Sequence, residues 1–363
     1  MLKIFAGLLF GIFAASCAPS APISTGAPTL PATVIATPAS ASFTLLVTDS
    51  NGNQLALVDP ERGVIAQVEI GASPWGIALA QNNIAYISTA EGISIVDTRE
   101  RKQIARVPYR EILGVPQTGE YRAGGMGIAV SPDGKRVYVG VHRNGKPSEL
   151  QILDAERRSF IGAVQIGVRP FDVLASRDGR AIYTIDHDSY NVTVIDAVNF
   201  TARTLKVAPL GGGAYDKPHY AALRANGNLL LPFQGRALVD LDPATGKVTT
   251  IPTKANTHQH GLALLPDGKR VAIVGTGAAG SATGGANLAL VNLETHAEEI
   301  IPLPRAHEKI AMSPDGRRAF LSGGYLLGGW DGLTIVDLES RTLRELALPV
   351  RPLEILILFS PQR

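Results

Sequence analysis

A single cysteine, Cys17, among 363 residues excludes a disulfide framework, so the fold must be held by its own buried surface. Methionine is also scarce, at three residues, and no long amphipathic run is present, which argues against a helical protein. Charge of one sign is lacking as well: 34 Lys and Arg stand against 32 Asp and Glu, a net charge of +2. So even a balance creates no strong general field, and no nucleic acid partner is expected. Several catalytic signatures are missing too, among them a nucleophile elbow, a P-loop and H-E-x-x-H. Gly275 to Gly280 matches G-x-G-x-x-G, but the Ser281-Ala282-Thr283-Gly284-Gly285 that follows cannot supply the helix a dinucleotide site needs. Asp186 to Asn191 resembles the start of a calcium loop without its sixth-place Gly or closing Glu.

What is abundant is glycine and proline, 38 and 24 residues in a chain that is 45% hydrophobic, a composition of short strands joined by tight turns. At the amino end, Lys3 precedes the apolar segment Ile4 to Ala15, which is too short to span a membrane and reads as a signal sequence. Ala14-Ala15-Ser16-Cys17 resembles a bacterial lipobox, which implies a signal over 1–17, lipid on Cys17, and a protein anchored to a membrane outside the cytoplasm. An ordinary secretory signal with Cys17 incidental is the other reading, and it gives the same compartment. Residues 18–42 are Ala, Pro, Ser and Thr with a few aliphatics and no charge, a flexible tether.

From Phe43 onward one unit repeats. Asn256 to Val274 shows it well: an apolar run, the turn Pro266-Asp267-Gly268, and a second apolar run. If Ile77, Ile128, Val173, Ala221, Leu262, Ile310 and Ile355 are equivalent, the intervals are 51, 45, 48, 41, 48 and 45 residues. Periods of this size mark propeller blades of four strands, so the expected fold over 43–363 is an all-β, seven-bladed β-propeller. Phe43 to Ile70 supplies three strands without an inner one, and Arg351 to Leu358 supplies an inner strand with nothing after it. Pairing the two closes the ring and removes exposed sheet edges. Third runs end in an acid or amide, at Asp59, Asp97, Asp154, Asp196, Asp242, Asn292 and Asp337, which are expected to bond their own turns and not to catalyse.

The stretches Ser131 to Val139, Ile166 to Pro170 and Val192 to Asp196 resemble those of the YVTN-type, YncE-like seven-bladed propeller lipoproteins, and the likeness runs from Phe43 to Leu358. It implies the fold and leaves function open, because such propellers serve as binding modules, surface proteins and enzymes. Similar propellers include zinc-handling periplasmic proteins and copper enzymes.

Loops leading into inner strands and loops between second and third strands emerge on one face of the disc, the mouth. By repeat phase, His142 and His187 fall between second and third strands, while His219, His258, His260 and His307 fall just before three successive inner strands. His258 and His260, two apart on an extended segment, point the same way and can share one ion. The expected metal ligands are therefore His219, His258, His260 and His307, with Zn or Cu suited to imidazole. Each of these rings has a plain structural reading as well, a hydrogen bond to the next blade. Arg169, Asp172, Lys217, Arg351 and Trp75 also map to the mouth and are the candidates for binding a small anionic or aromatic ligand, or for pairing between blades. Three functions follow as expectations: a metal-binding module; a metal-assisted enzyme of lyase or lactonase type, with Glu308 and His187 as candidate bases; and a scaffold for an envelope protein.

Overall fold

The computed structural model describes residues 43–213, 216–234, 236–255, 257–278, 283–324 and 329–359. The expected signal over 1–17, Cys17 and the expected tether of 18–42 lie outside them. The described chain is a ring of seven four-stranded antiparallel sheets. Blade one is composite, as its repeat phase requires: the inner strand Pro352–Phe359 pairs with Phe43–Asp49, which is followed by Gln54–Asp59 and Gly63–Glu69. The other inner strands are Ile77–Leu79, Gly124–Val130, Pro170–Ala175, Ala222–Leu223, Gln259–Leu264 and Ile310–Met312. Each runs from the mouth to the opposite face.

The core is divided by the ring into seven separate apolar layers, one between each pair of neighbouring blades. An eighth cluster, Trp75, Met126, Phe171, Tyr220 and Leu353, plugs the central channel. All seven acids and amides that end third runs do bond their own turns. Asp59 Oδ1, for example, accepts from the backbone N–H groups of Glu61 and Arg62, and Asp337 Oδ1 from those of Glu339 and Ser340. The same pattern holds at Asp97, Asp154, Asp196, Asp242 and Asn292.

Hydroxyls on second strands tie neighbouring inner strands together, a device the repeat pattern did not disclose. In blade two, Ser88 Oγ accepts from Gly76 N–H at 3.0 Å and donates to Met126 O of blade three at 2.5 Å. In blade seven, Ser322 Oγ does the same between Lys309 N–H and Leu353 O of blade one. Thr48 Oγ1 links Glu354 N–H with Trp75 O. Two glycines permit the close approach that these links need. A Cβ on Gly127 would stand 2.3 Å from the Asp172 carbonyl carbon, and one on Gly261 would stand 2.7 Å from Glu308 O.

Ser88→Ala leaves a buried N–H and a buried carbonyl short of a partner, so it is expected to cost roughly 1–3 kcal/mol of stability in urea denaturation. A loss indistinguishable from zero would show that the inner strands hold together without the clamp.

Candidate metal centre at the mouth of the ring

The loop into blade five carries His219, and Asp216 braces that loop by accepting from Leu210 N–H at 2.8 Å. His258 is fixed by the start of the blade-six hairpin, where its carbonyl accepts from Thr276 N–H at 2.9 Å and its N–H donates to Gly277 O at 3.2 Å. Gly261 N–H bonds Glu308 O of blade seven at 2.9 Å, which sets His260 against that blade. The result is convergence: one ring nitrogen each from His219, His258 and His260 lies within 4.8 Å of the other two. Ring centroids are 4.3 Å apart for His258 and His260, and 4.4 Å for His219 and His260. The convergence expected of positions 258 and 260 is thus realised.

Glu308 Oε1 lies 2.7 Å from His260 Nδ1 and 3.3 Å from the Tyr220 hydroxyl. The carboxylate accepts, so Nδ1 is the donor of this pair. His260 Nε2 and His258 Nδ1 are both buried without a hydrogen-bond partner. Buried polar atoms seldom remain so, and three convergent imidazoles, two of them with an orphaned nitrogen, fit a transition-metal ion.

His187, in the short 3₁₀ turn His187–Ser189, packs beside the three, its ring 4.5 Å from that of His219 and stacked at 4.4 Å on Phe171. Its Nδ1 is 2.8 Å from Asp188 Oδ1. Asp188 also pairs with Arg169 and, at 2.8 Å, with Lys217. Arg169 in turn lies over the Tyr121 ring at 4.1 Å.

His307 stays apart from this group. Its Nε2 sits 2.7 Å from Thr334 Oγ1 and its ring lies 6.2 Å from that of Trp330. Glu308, the next residue, turns to His260, so strand alternation sends His307 the other way. Other mouth candidates are also placed differently from the expectation of a ligand-facing cluster. Trp75 is buried in the channel plug, 5.4 Å from Phe171. Asp172 lies beyond the plug, lining the channel on the far side, and Arg351 pairs with Asp331. His142 is the last residue of the second strand of blade three, bonded to Ser148 at 3.3 Å.

Glu120 was not among the sequence candidates. It belongs to the long departure before blade three, which is pinned over the mouth by Arg122 to Ser73 O and Gly125 O and by Ser73 to Gln117 O. Burial, and then the Glu308 charge, hold the Glu120 carboxyl above its ordinary range. The length of that departure was its one visible signal.

No family model matches the chain. Hydrazine synthase subunit beta of Kuenenia stuttgartiensis is 27% identical over 124 residues, a stretch covering 28% of this chain and 31% of that protein. The chain thus matches less than a third of that relative's length. Among solved structures, Kuenenia stuttgartiensis hydrazine synthase superposes with a TM-score of 0.60 at 17% identity, over 89% of this chain and 100% of that one. A functionally unknown protein from Desulfotomaculum acetoxidans gives 0.63 at 11% identity, over 87% and 99%. Dihydro-heme d1 dehydrogenase NirN in complex with DHE gives 0.57 at 16% identity, over 86% and 74%. These likenesses establish the propeller fold.

Burial, reinforced by neighbouring positive groups, pushes the imidazoles down: His187 to about 2, His258 to about 3, and His219 well below 6.5. In the window from 6.5 downward the unfolded chain therefore binds more protons than the folded one, and these rings make stability fall as pH falls. Buried Asp172 and Asp186, raised to about 6 and about 7, act in the opposite sense. Comparison of metal-free wild type with His258→Gln cancels that term. Between pH 7 and 5 the wild type is expected to lose more stability in urea than the variant, and equal losses would contradict the burial of a neutral His258.

Proposed function

We propose that the protein is an extracytoplasmic propeller that binds one transition-metal ion, Zn or Cu, through His219, His258 and His260 at the mouth of its channel. The convergence of three ring nitrogens within 4.8 Å carries this reading. Glu308 orients His260 from behind, in the way carboxylates orient metal-binding imidazoles. Asp188 holds His187 in the same way, with its ring 4.5 Å from that of His219. Arg169 and Lys217 both pair with Asp188, which supports a part in that scaffold for them, while two cations on one carboxylate keep one positive charge in excess. Haem-type binding is less well supported. A tetrapyrrole takes one or two axial side chains, whereas a cluster this tight matches several nitrogens on one bare ion.

A metal-assisted enzyme is the second reading. Glu120 favours it, as a carboxylate held above its ordinary range over the same mouth and close enough to feel Glu308 and His260. Glu308 and His187 suit a base less well, since each is already committed, Glu308 to His260 and His187 to Asp188. The metal would supply electrophilic activation; Glu120 would hold or release the proton. A lipid on Cys17 and a partner in the envelope remain part of the proposal on the strength of the lipobox-like segment.

Titration of the purified protein with Co(II), Zn(II) and Cu(II) is expected to show about one equivalent bound. His258→Ala/His260→Ala should abolish it, and Glu308→Gln should weaken it about 10–100-fold. His307→Ala should leave affinity unchanged. Binding by the double variant as tight as by wild type would remove the proposal.

A further inference from the structure

The channel continues past the aromatic plug. Beneath it lies a chamber of about 260 Å³, roofed by the plug residues Trp75, Phe171 and Tyr220 and walled by inner-strand residues, among them Ile128, Val173, Leu174 and Leu356. None of the mouth histidines reaches it. Three charged side chains do: Asp172, Lys309 and Glu354.

These charges are unevenly matched. Lys309 Nζ lies 2.8 Å from Glu354 Oε2 and 3.4 Å from the centroid of the Tyr220 ring, so its charge is spoken for. Asp172 is left with two backbone N–H groups, those of Val173 at 2.9 Å and Ala221 at 3.1 Å. Among the described residues, none forms an ion pair with it. A carboxylate has room for about four hydrogen bonds. Two carboxylates thus share one ammonium in the chamber, and Asp172, which Lys309 influences only at a distance, makes no ion pair of its own under a roof that includes Trp75 and Phe171.

We propose that this chamber is a second ligand site, which takes a small organic ammonium ion with its charge at Asp172 and its apolar body along Val173, Leu174 and Leu356. The chemistry is complementary at each point. An ammonium supplies the donors and positive charge that Asp172 lacks, aromatic rings attract cations, and the remaining wall is aliphatic. Burial lifts the Asp172 carboxyl to about 6, which is the cost of leaving it unpaired and is relieved by a bound cation. At ~30 Å³ per water, the volume holds about eight water-sized groups, enough for a short-chain amine. The site is independent of the metal reading, since none of its residues is a mouth histidine.

The test is calorimetric titration of the whole chain, with chelator present, using n-butylammonium, and using n-butanol and n-butyrate as probes lacking the positive charge. Saturable one-to-one binding of n-butylammonium, with none of the other two, is expected. Asp172→Asn keeps an oxygen to accept from Ala221 N–H and should weaken binding at least tenfold. Leu174→Trp, two residues beyond Asp172 on the same inner strand, fills the chamber and should abolish binding. His258→Ala/His260→Ala should bind n-butylammonium as wild type does. Absence of saturable binding by wild type, equal binding of n-butanol, or undiminished affinity in both chamber variants would overturn the proposal.

Discussion

The hydrogen bonds that tie neighbouring inner strands together set everything else at the ring axis. Apolar layers hold the blades apart at the distance that their side chains dictate, but at the axis the strands must meet through backbone and small groups. Ser88, Ser322 and Thr48 each bond their own inner-strand system and the next one, and Gly127 and Gly261 leave out the Cβ that would hold the strands apart. The glycine after the His-Gln-His sequence is therefore part of the site. Without the contact of Gly261 with the Glu308 backbone, the Glu308 carboxylate could not sit 2.7 Å from His260.

Repeat phase made the ring, its closure and the turn role of the third-run acids readable, because each rests on local chemistry that recurs seven times. It also placed His219, His258 and His260 near the axis. It failed where a side chain's direction depends on its immediate neighbour. His307 and Glu308 are adjacent on an extended segment, so only one can face the cluster, and spacing alone did not reveal which. Bonding to Thr334 takes His307, and Glu308 takes the inward place. Glu120 was illegible for a different reason: it sits in a departure that belongs to no repeat, so nothing in the pattern located its carboxyl.

The electrostatics of the mouth also changed meaning once the partners were visible. Arg169 and Lys217 read in sequence either as cations for a small anionic or aromatic ligand or as pairing groups between blades. Both converge on Asp188, and Asp188 bonds His187 Nδ1, so the two charges act through an imidazole. The positive groups also help burial to keep that ring neutral, since a protonated His187 would face them. A neutral imidazole is the form that donates a lone pair.

The channel plug divides the axis into two chemically different ends. Nitrogen lone pairs gather above it and an unpaired carboxylate lies below. Tyr220 has atoms engaged on both sides: its hydroxyl is 3.3 Å from Glu308, while its ring face carries the Lys309 ammonium. A displacement of this ring changes what Glu308 can accept and, through Glu308, how His260 is held. An occupant of one chamber that binds more tightly with Tyr220 in one position than in another must therefore alter affinity in the other chamber, and by reciprocity the converse holds by the same factor. One of the five residues that seal the channel is thus also one through which its two ends can sense each other.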